Sequence, residues 1–215
     1  MERILILGAG GHGQVVADTL MRMRDAGAQV APLGYLDDAA AMQNQTLLGL
    51  PVLGRVADLA QIAHTAIVIA IGDNGTRRNL FDRLRQQGER FIVARHPQTV
   101  IAPDVRIGPG TMICAGVIIN PGAVIGANVI LNTACTVDHH NTIGDHAHIA
   151  PGVHLGGDVQ IGAGTLVGIG ATVMPQRQVG AWSVVGAGAL IHVDLPSHVV
   201  AVGLPARVIR FRKEE

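Results

Sequence analysis

Aromatic residues are nearly missing from this sequence: Phe, Trp and Tyr make up 2% of it, against a hydrophobic fraction of 48%. Any core must therefore be filled by Ile, Val, Leu and Ala, which fits a narrow and regular interior. Cysteine is as scarce. Cys114 and Cys135 are too few for a disulfide scaffold, and their CA and AC contexts lack metal-ligand spacing, so both read as buried, reduced and structural. Net charge is missing too, because 16 basic and 16 acidic residues cancel. No Lys/Arg stripe stands ready to neutralise a phosphate backbone, which excludes nucleic acid as a partner. No apolar run approaches the roughly 18 residues of a membrane span, so no membrane insertion is expected. Met1 to Leu7 is too short for a signal-peptide core, and the chain is expected in the cytoplasm. A length of 215 residues allows two small domains or one larger one.

What is present is a repeat. Every sixth residue from Ile101 to Ile191 is Ile, Leu or Val, at all 16 positions. The residue after it is Gly in eight of these hexads, from Gly108 to Gly186. A period of 3.6 or of 2 cannot generate this pattern, whereas a three-sided coil with six residues per side does. Each coil is then 18 residues long, and coils stacked about 4.8 Å apart bury the aliphatic positions in continuous ladders. Glycine serves the corners, where positive φ or close backbone approach is needed. The span makes five coils without a phase break. It resembles the hexapeptide-repeat family of left-handed β-helices, many of them trimeric acyltransferases; handedness and trimerisation are implied by that resemblance alone.

The first hundred residues read differently. Arg3 to Leu7 is a short apolar strand running into Gly8-Ala9-Gly10-Gly11-His12-Gly13, and Gln14 to Arg24 reads as a helix with Val15, Val16 and Leu20 on one side. Val30 to Leu36 is a second strand ending in Asp37-Asp38, Ala66 to Ile71 a third ending in Gly72-Asp73-Asn74, and Arg90 to Ala94 a fourth. Asn74 to Gln87 lies between the last two as a helix. Alternating strands and helices imply a parallel sheet with ligands beyond the strands' C-terminal ends, where all three candidate loops sit. The G-x-G-x-x-G spacing of Gly8, Gly10 and Gly13 suits phosphate, because bare backbone and a helix N-terminus present unobstructed N–H donors. A tight turn that binds nothing has the same spacing, and NAD would need a second mononucleotide-binding half for which there is no room. The expected organisation is a Rossmann-like α/β domain over residues 1–98, followed by a β-helix with a C-terminal tail over 99–215.

Across nearly the whole chain the runs ILGAGGHGQVVAD, YLDD, AIGDN with Arg77 and Arg78 behind it, HPQTVIAPDVRIG, VDHHNTIGDHAHIAPG and GLPARVI add a more specific likeness. They resemble the bacterial family of nucleotide-linked amino-sugar N-acetyltransferases and sialic acid O-acetyltransferases. The resemblance implies acetyl-CoA as co-substrate and a nucleotide-linked amino sugar, 4-amino and deoxy, as acceptor. It further implies a homotrimer with active sites between subunits, working in surface polysaccharide or O-antigen biosynthesis. It assigns the nucleotide to Gly10, Gly11, His12, Asp37, Asp38 and Gly72, and the acetyl-CoA groove to His148, Gly157, Ile169 and Pro175.

Five of the ten histidines fall between residues 139 and 154. Zinc-bearing trimeric β-helices place two ligands five residues apart, a spacing no two histidines here show, so no metal is expected. General base catalysis is the other use. An amine attacking a thioester must shed a proton, and imidazole titrates near neutral pH. His139 is the candidate: it stands off the inward ladder, and the resemblance aligns it with the family's catalytic His. Gly157 lies 18 residues on, in the same column one coil later, and the resemblance makes its N–H the oxyanion donor. The residue after the catalytic His is usually acidic in this family, but here it is His140; Asp138, Asp145 or a water could take its place. O-acetylation of a sialic acid, a non-catalytic scaffold for nucleotide sugars and a metal-dependent hydratase are the rival readings.

Overall fold

Ile4, Leu5, Ile6 and Leu7 have no exposed surface, as expected for a strand covered on both faces of a parallel sheet. They belong to β1 (Glu2–Leu7), which pairs in parallel with β2 (Val30–Leu36) on one side and β5 (Ala66–Ile69) on the other. A hairpin of β3 (Thr46–Leu47) and β4 (Leu50–Gly54) extends the sheet beyond β2, giving the order β3-β4-β2-β1-β5. Two α-helices, α1 (Gly11–Asp25) and α2 (Asn74–Gln86), and two short 3-10 turns, Ala40–Met42 and Val56–Gln61, complete this unit. α1 buries Gly13, Val16, Ala17 and Leu20, the three-and-four spacing of one helical face. Val15 departs from the expected face and is 41% exposed, since an i, i+1 pair diverges by about 100° on a helix.

The expected strand from Arg90 to Ala94 is reduced to one parallel bridge, Ile67 to Phe91, followed by a two-residue strand at Ala94–Arg95. Phe91 instead seats its ring against Phe81 of α2, with centroids 4.2 Å apart. The hairpin over 46–54 has no counterpart in the sequence reading, because it carries no apolar alternation long enough to register as strands.

This computed structural model describes residues 1–213. The chain divides into two compact units, Met1–Pro97 and the remainder from Gln98. The second unit is a left-handed parallel β-helix. Two-residue strands recur on three faces, and each pairs with the strand 18 residues on, as Val100–Ile101 does with Ile118–Ile119. One face continues to Leu190–Ile191, the second to Gln178–Val179 and the third to Val184–Val185. An antiparallel pair, Val199–Gly203 with Ala206–Phe211, follows on the third face. From Ile113 to Ile191 every ladder residue is at most 3% exposed, and each such side chain contributes about 1.5–3 kcal/mol by leaving water.

The corners separate two roles of glycine. The residue with left-handed φ recurs every sixth position from Gly110 to Gly188, three after each ladder residue. It is Gly at half of these corners, but His140, His146, Asp158 and Trp182 also adopt it. The glycines directly after the ladder residue have no such φ; they are needed for close approach. A Cβ on Gly144 would lie 2.5 Å from the Ala163 amide nitrogen on the next coil.

Candidate active site

In the first unit the sheet's C-terminal edge carries every residue expected at a nucleotide. β1 turns through Gly8, at φ +109°, into the N-terminus of α1. Gly10 caps that helix with no side-chain acceptor, so the first-turn N–H groups are left for a ligand, and the helix dipole favours an anion there. A Cβ on Gly10, Gly11 or Gly72 would meet nothing within 4 Å; these glycines border open space. The Asp37 carboxylate accepts the Ala9 amide at 2.7 Å and the Ala39 amide at 2.8 Å, so it shapes the glycine loop. Asp38 accepts the Val56 amide at 2.9 Å through Oδ1 and lines a cavity of ≈ 410 Å³ with Val56, Ile71, Thr76 and Arg83.

Behind this edge lies a buried cation that sequence reasoning had noted only in passing. Arg77 is 1% exposed, and its guanidinium donates to the Ile71 and Gly72 carbonyls at 3.0 and 3.2 Å and to Asn74 Oδ1 at 2.8 Å. It clamps the loop after β5 and places positive charge near His12. Burial pulls its pKa down to about 10, with Asp73 opposing, so it stays protonated at neutral pH. Burial first, and Arg77 second, lower His12 to about 4. The His12 Nε2 is buried without a hydrogen-bond partner among the described residues.

His12 makes stability depend on pH. The unfolded chain protonates this ring below its ordinary 6.5, while the folded chain refuses the proton until about 4. Stability is therefore full above pH 6.5 and is lost as pH falls from 6.5 towards 4, by about 3 kcal/mol at 1.36 kcal/mol per unit. Urea unfolding at pH 7 and pH 4.5 should show a smaller difference in His12→Gln than in the unmodified protein. Equal differences would contradict this placement of His12.

In the second unit His139 and His140 form one corner between two faces, directly after the strand Thr136–Val137 and before Thr142–Ile143. The Asp138 carboxylate receives the Asn120 side-chain amide at 2.7 Å and the His139 backbone amide at 2.8 Å, and these hydrogen bonds, the Asn120 one foremost, hold its pKa below the usual carboxylate value. The His139 ring leans onto the next coil: a Cβ on Gly157 would fall 2.5 Å from its Cε1 and Nε2. At nine other corners the N–H in the place of Gly157 is either removed, by Pro103, Pro109, Pro121, Pro151 and Pro175, or capped, while those of Ala115, Asp145, Ala163, Ile169 and Ala187 have no acceptor among the described residues. The caps are Asp145 on Ala127, Asn132 on Thr133, Asp138 on His139 and Ser197 on Ala181. The Gly157 N–H has no acceptor among the described residues. An imidazole and an uncommitted amide thus adjoin on one surface.

Of the remaining residues, Pro175 continues the His139–Gly157 column one coil further and packs on Gly156. Ile169 occupies a different corner and is 62% exposed, its amide likewise without an acceptor among the described residues. His148 stands on the strand His148–Ile149 of the third face, where Asn132 Nδ2 donates to its Nε2 at 3.1 Å. A single chain therefore does not assemble His148 and Ile169 with His139. His146 is buried beside Asn128 and His154 bonds Thr136 Oγ1, 2.9 Å in each case. Donor atoms of His139, His140 and Asp158 come within 4.8 Å of one another, a spacing the sequence did not disclose because it arises from stacking. Cys114 and Cys135 are buried and unpaired; burial raises both thiols, that of Cys114 to about 11. No helix among the described residues is long and apolar enough to cross a membrane.

Comparison with known proteins supplies the context. Residues 3–84 match the PglD N-terminal domain family and residues 98–133 the family described as bacterial transferase hexapeptide (six repeats). Among curated proteins, no sequence matches. Among solved structures, the acetyltransferase domain of PglB from Neisseria gonorrhoeae is 33% identical with a TM-score of 0.89, covering 97% of this chain and 100% of that one; it is also known in complex with acetyl coenzyme A. PerB from Caulobacter crescentus, in complex with CoA and GDP-perosamine, is 36% identical with a TM-score of 0.88 and 98% coverage of both chains. WeeI from Acinetobacter baumannii is 28% identical with a TM-score of 0.86, covering 97% of this chain and 100% of its own.

Proposed function

The chain belongs to the hexapeptide-repeat acetyltransferases that carry a PglD-type N-terminal domain, and from that premise we propose that it acetylates the amine of a nucleotide-linked 4-amino, deoxy sugar. It is an acetyltransferase, and acetyl-CoA is its acyl donor. The single observation that carries the mechanism is the juxtaposition of the His139 ring with the open amide of Gly157. Neutral His139 takes the proton that the sugar amine sheds as the N–C bond forms. Negative charge developing on the thioester oxygen faces the Gly157 N–H, and collapse of the tetrahedral species expels the CoA thiolate. The transfer is direct, for the two thiols are buried and their raised pKa values keep them protonated.

The first unit holds the nucleotide: the N-terminus of α1, with Gly10, Gly11 and His12, takes the diphosphate, Gly72 borders it, and Asp38 faces the nucleoside. Asp37 serves by fixing the glycine loop. The pantetheine runs along the β-helix past Pro175, with His148 and Ile169 contributed by a neighbouring copy in a homotrimer. Their placement away from His139 within one chain, and the exposure of Ile118, Ile169, Ile209 and Phe211, support that assembly. Such a chain works in the cytoplasm, in the making of surface glycans.

The test is a CoA-release assay with UDP-, GDP-, CMP- and dTDP-linked 4-amino sugars, their hydroxyl counterparts and sialic acid. Turnover is expected with the amine and not with the hydroxyl on at least one nucleotide. Release with hydroxyl acceptors only would make the enzyme an O-acetyltransferase and overturn the proposal.

A further inference from the structure

A base is only as good as the group that fixes its tautomer, and none of the nearby carboxylates holds the His139 ring. Asp138 grips the Asn120 side chain and the His139 backbone amide. Asp145 sits at a different corner, where it accepts the Ala127 amide at 2.7 Å. Asp158, one coil beyond His140, makes no hydrogen bond to either ring among the described residues, although its oxygen lies within 4.8 Å of their nitrogens. The contact that exists is between the two rings: His139 Nδ1 and His140 Nδ1 are 3.0 Å apart, with the rings edge to face at 78°.

We infer that His140 is the positioning residue of the base, a neutral acceptor in the place where a carboxylate would ordinarily stand. This rests on the reading of His139 as general base. Two neutral imidazoles at that separation share one proton, so one Nδ1 donates and the other accepts. If His139 donates, its Nε2, the nitrogen over Gly157, carries the lone pair that the reaction needs. If His140 donates, His139 Nε2 bears hydrogen and cannot act as a base. Only the first arrangement is productive, and in it His140 carries its own hydrogen on Nε2.

The fold prepares His140 for this. Its backbone is in the left-handed region at φ 58°, and its amide donates to the Pro121 carbonyl at 3.0 Å. Its ring lies over Gly122, where a Cβ would come 2.6 Å from Cδ2. The ring therefore leans back onto the preceding coil while that of His139 leans forward onto the following one, and the two Nδ1 atoms meet between. The charged groups beside the pair are Asp138 on the same segment and Asp158 on the next coil, while Asp104, which accepts the Gly122 amide at 2.8 Å, lies two coils before.

A neutral acceptor stabilises the imidazolium less than a carboxylate does, so the charge at position 140 sets where the base is lost to protonation. The test compares His140→Phe, which keeps a ring over Gly122, with His140→Asp, whose residue already tolerates this backbone one coil on at Asp158, φ 58°. His140→Phe should lower kcat by about 10- to 100-fold, the scale of loss when the group orienting a metal-ligating imidazole is removed, with KM for acetyl-CoA unchanged. His140→Asp should keep kcat and move the acid limb of the kcat/KM profile up by about one pH unit. Asp158→Asn should move that limb by less. Nitrogen-15 spectra should show His139 protonated at Nδ1 in the resting enzyme. An unshifted limb in His140→Asp, or a His139 protonated at Nε2, would overturn the inference. If His139→Ala is inactive while His140→Phe matches the unmodified enzyme, the positioning role alone fails; if His139→Ala is fully active, the base itself does.

Discussion

Replacing His139 by Ala is expected to lower kcat by about 10²- to 10⁴-fold, the range for a positioned general base, while leaving the fold and CoA binding intact. The reason for the clean separation is position. The side chain is exposed and packs on no ladder, so its removal costs the β-helix no buried surface. The backbone contacts that shape its corner, with Asp138 and with the Asp158 amide at 2.9 Å, do not involve the ring. Calorimetry with CoA and the thermal midpoint should match those of the unmodified protein. Added imidazole should restore part of the lost rate, since it can enter the space the ring vacates. An Ala variant within about threefold of full activity would remove the base from the mechanism and favour a scaffold that merely binds its ligands.

The coil was legible in the sequence because its signal is redundant. One aliphatic residue per hexad, repeated from Ile101 to Ile191, leaves no other regular structure, and the spacing of 18 residues by itself puts Gly157 in the column of His139. The ambiguity lay in glycine. Those after the ladder residue face the next coil's backbone, whereas the left-handed corner accepts His140 or Trp182 as well as Gly, so the turning residue could not be read from composition. The His139–His140 contact was illegible for a related reason: adjacent residues ordinarily point apart, and these meet only because Gly122 and Gly157 on neighbouring coils make room for each ring. In the first unit the glycine loop announced itself, but Arg77 did not. A buried guanidinium satisfied by two carbonyls and an Asn has the same sequence appearance as an exposed helix cation.

Gly157→Ala should be nearly as damaging as loss of the base, for a steric reason. Its φ lies outside the left-handed region, so Ala can adopt the backbone without strain and the fold should persist. The new methyl would stand 2.5 Å from Cε1 and Nε2 of His139 and 3.2 Å from Cδ2, and real Cβ atoms do not approach a ring so closely. Because His139 is at the surface, the ring rather than the coil gives way. It swings off the amide and carries Nε2 with it, so kcat should fall by about 10²- to 10³-fold, the scale for a lost oxyanion donor or a misplaced group. A double-mutant cycle then separates the two roles of Gly157. In the His139→Ala background there is no ring to displace, and if displacement is the whole effect the added methyl should cost nothing further. A residual loss in that background would measure what the methyl does to the Gly157 N–H itself. A single Gly157→Ala variant with undiminished kcat would show that the working enzyme does not hold the imidazole over this glycine, and the pairing of base and amide would have to be abandoned.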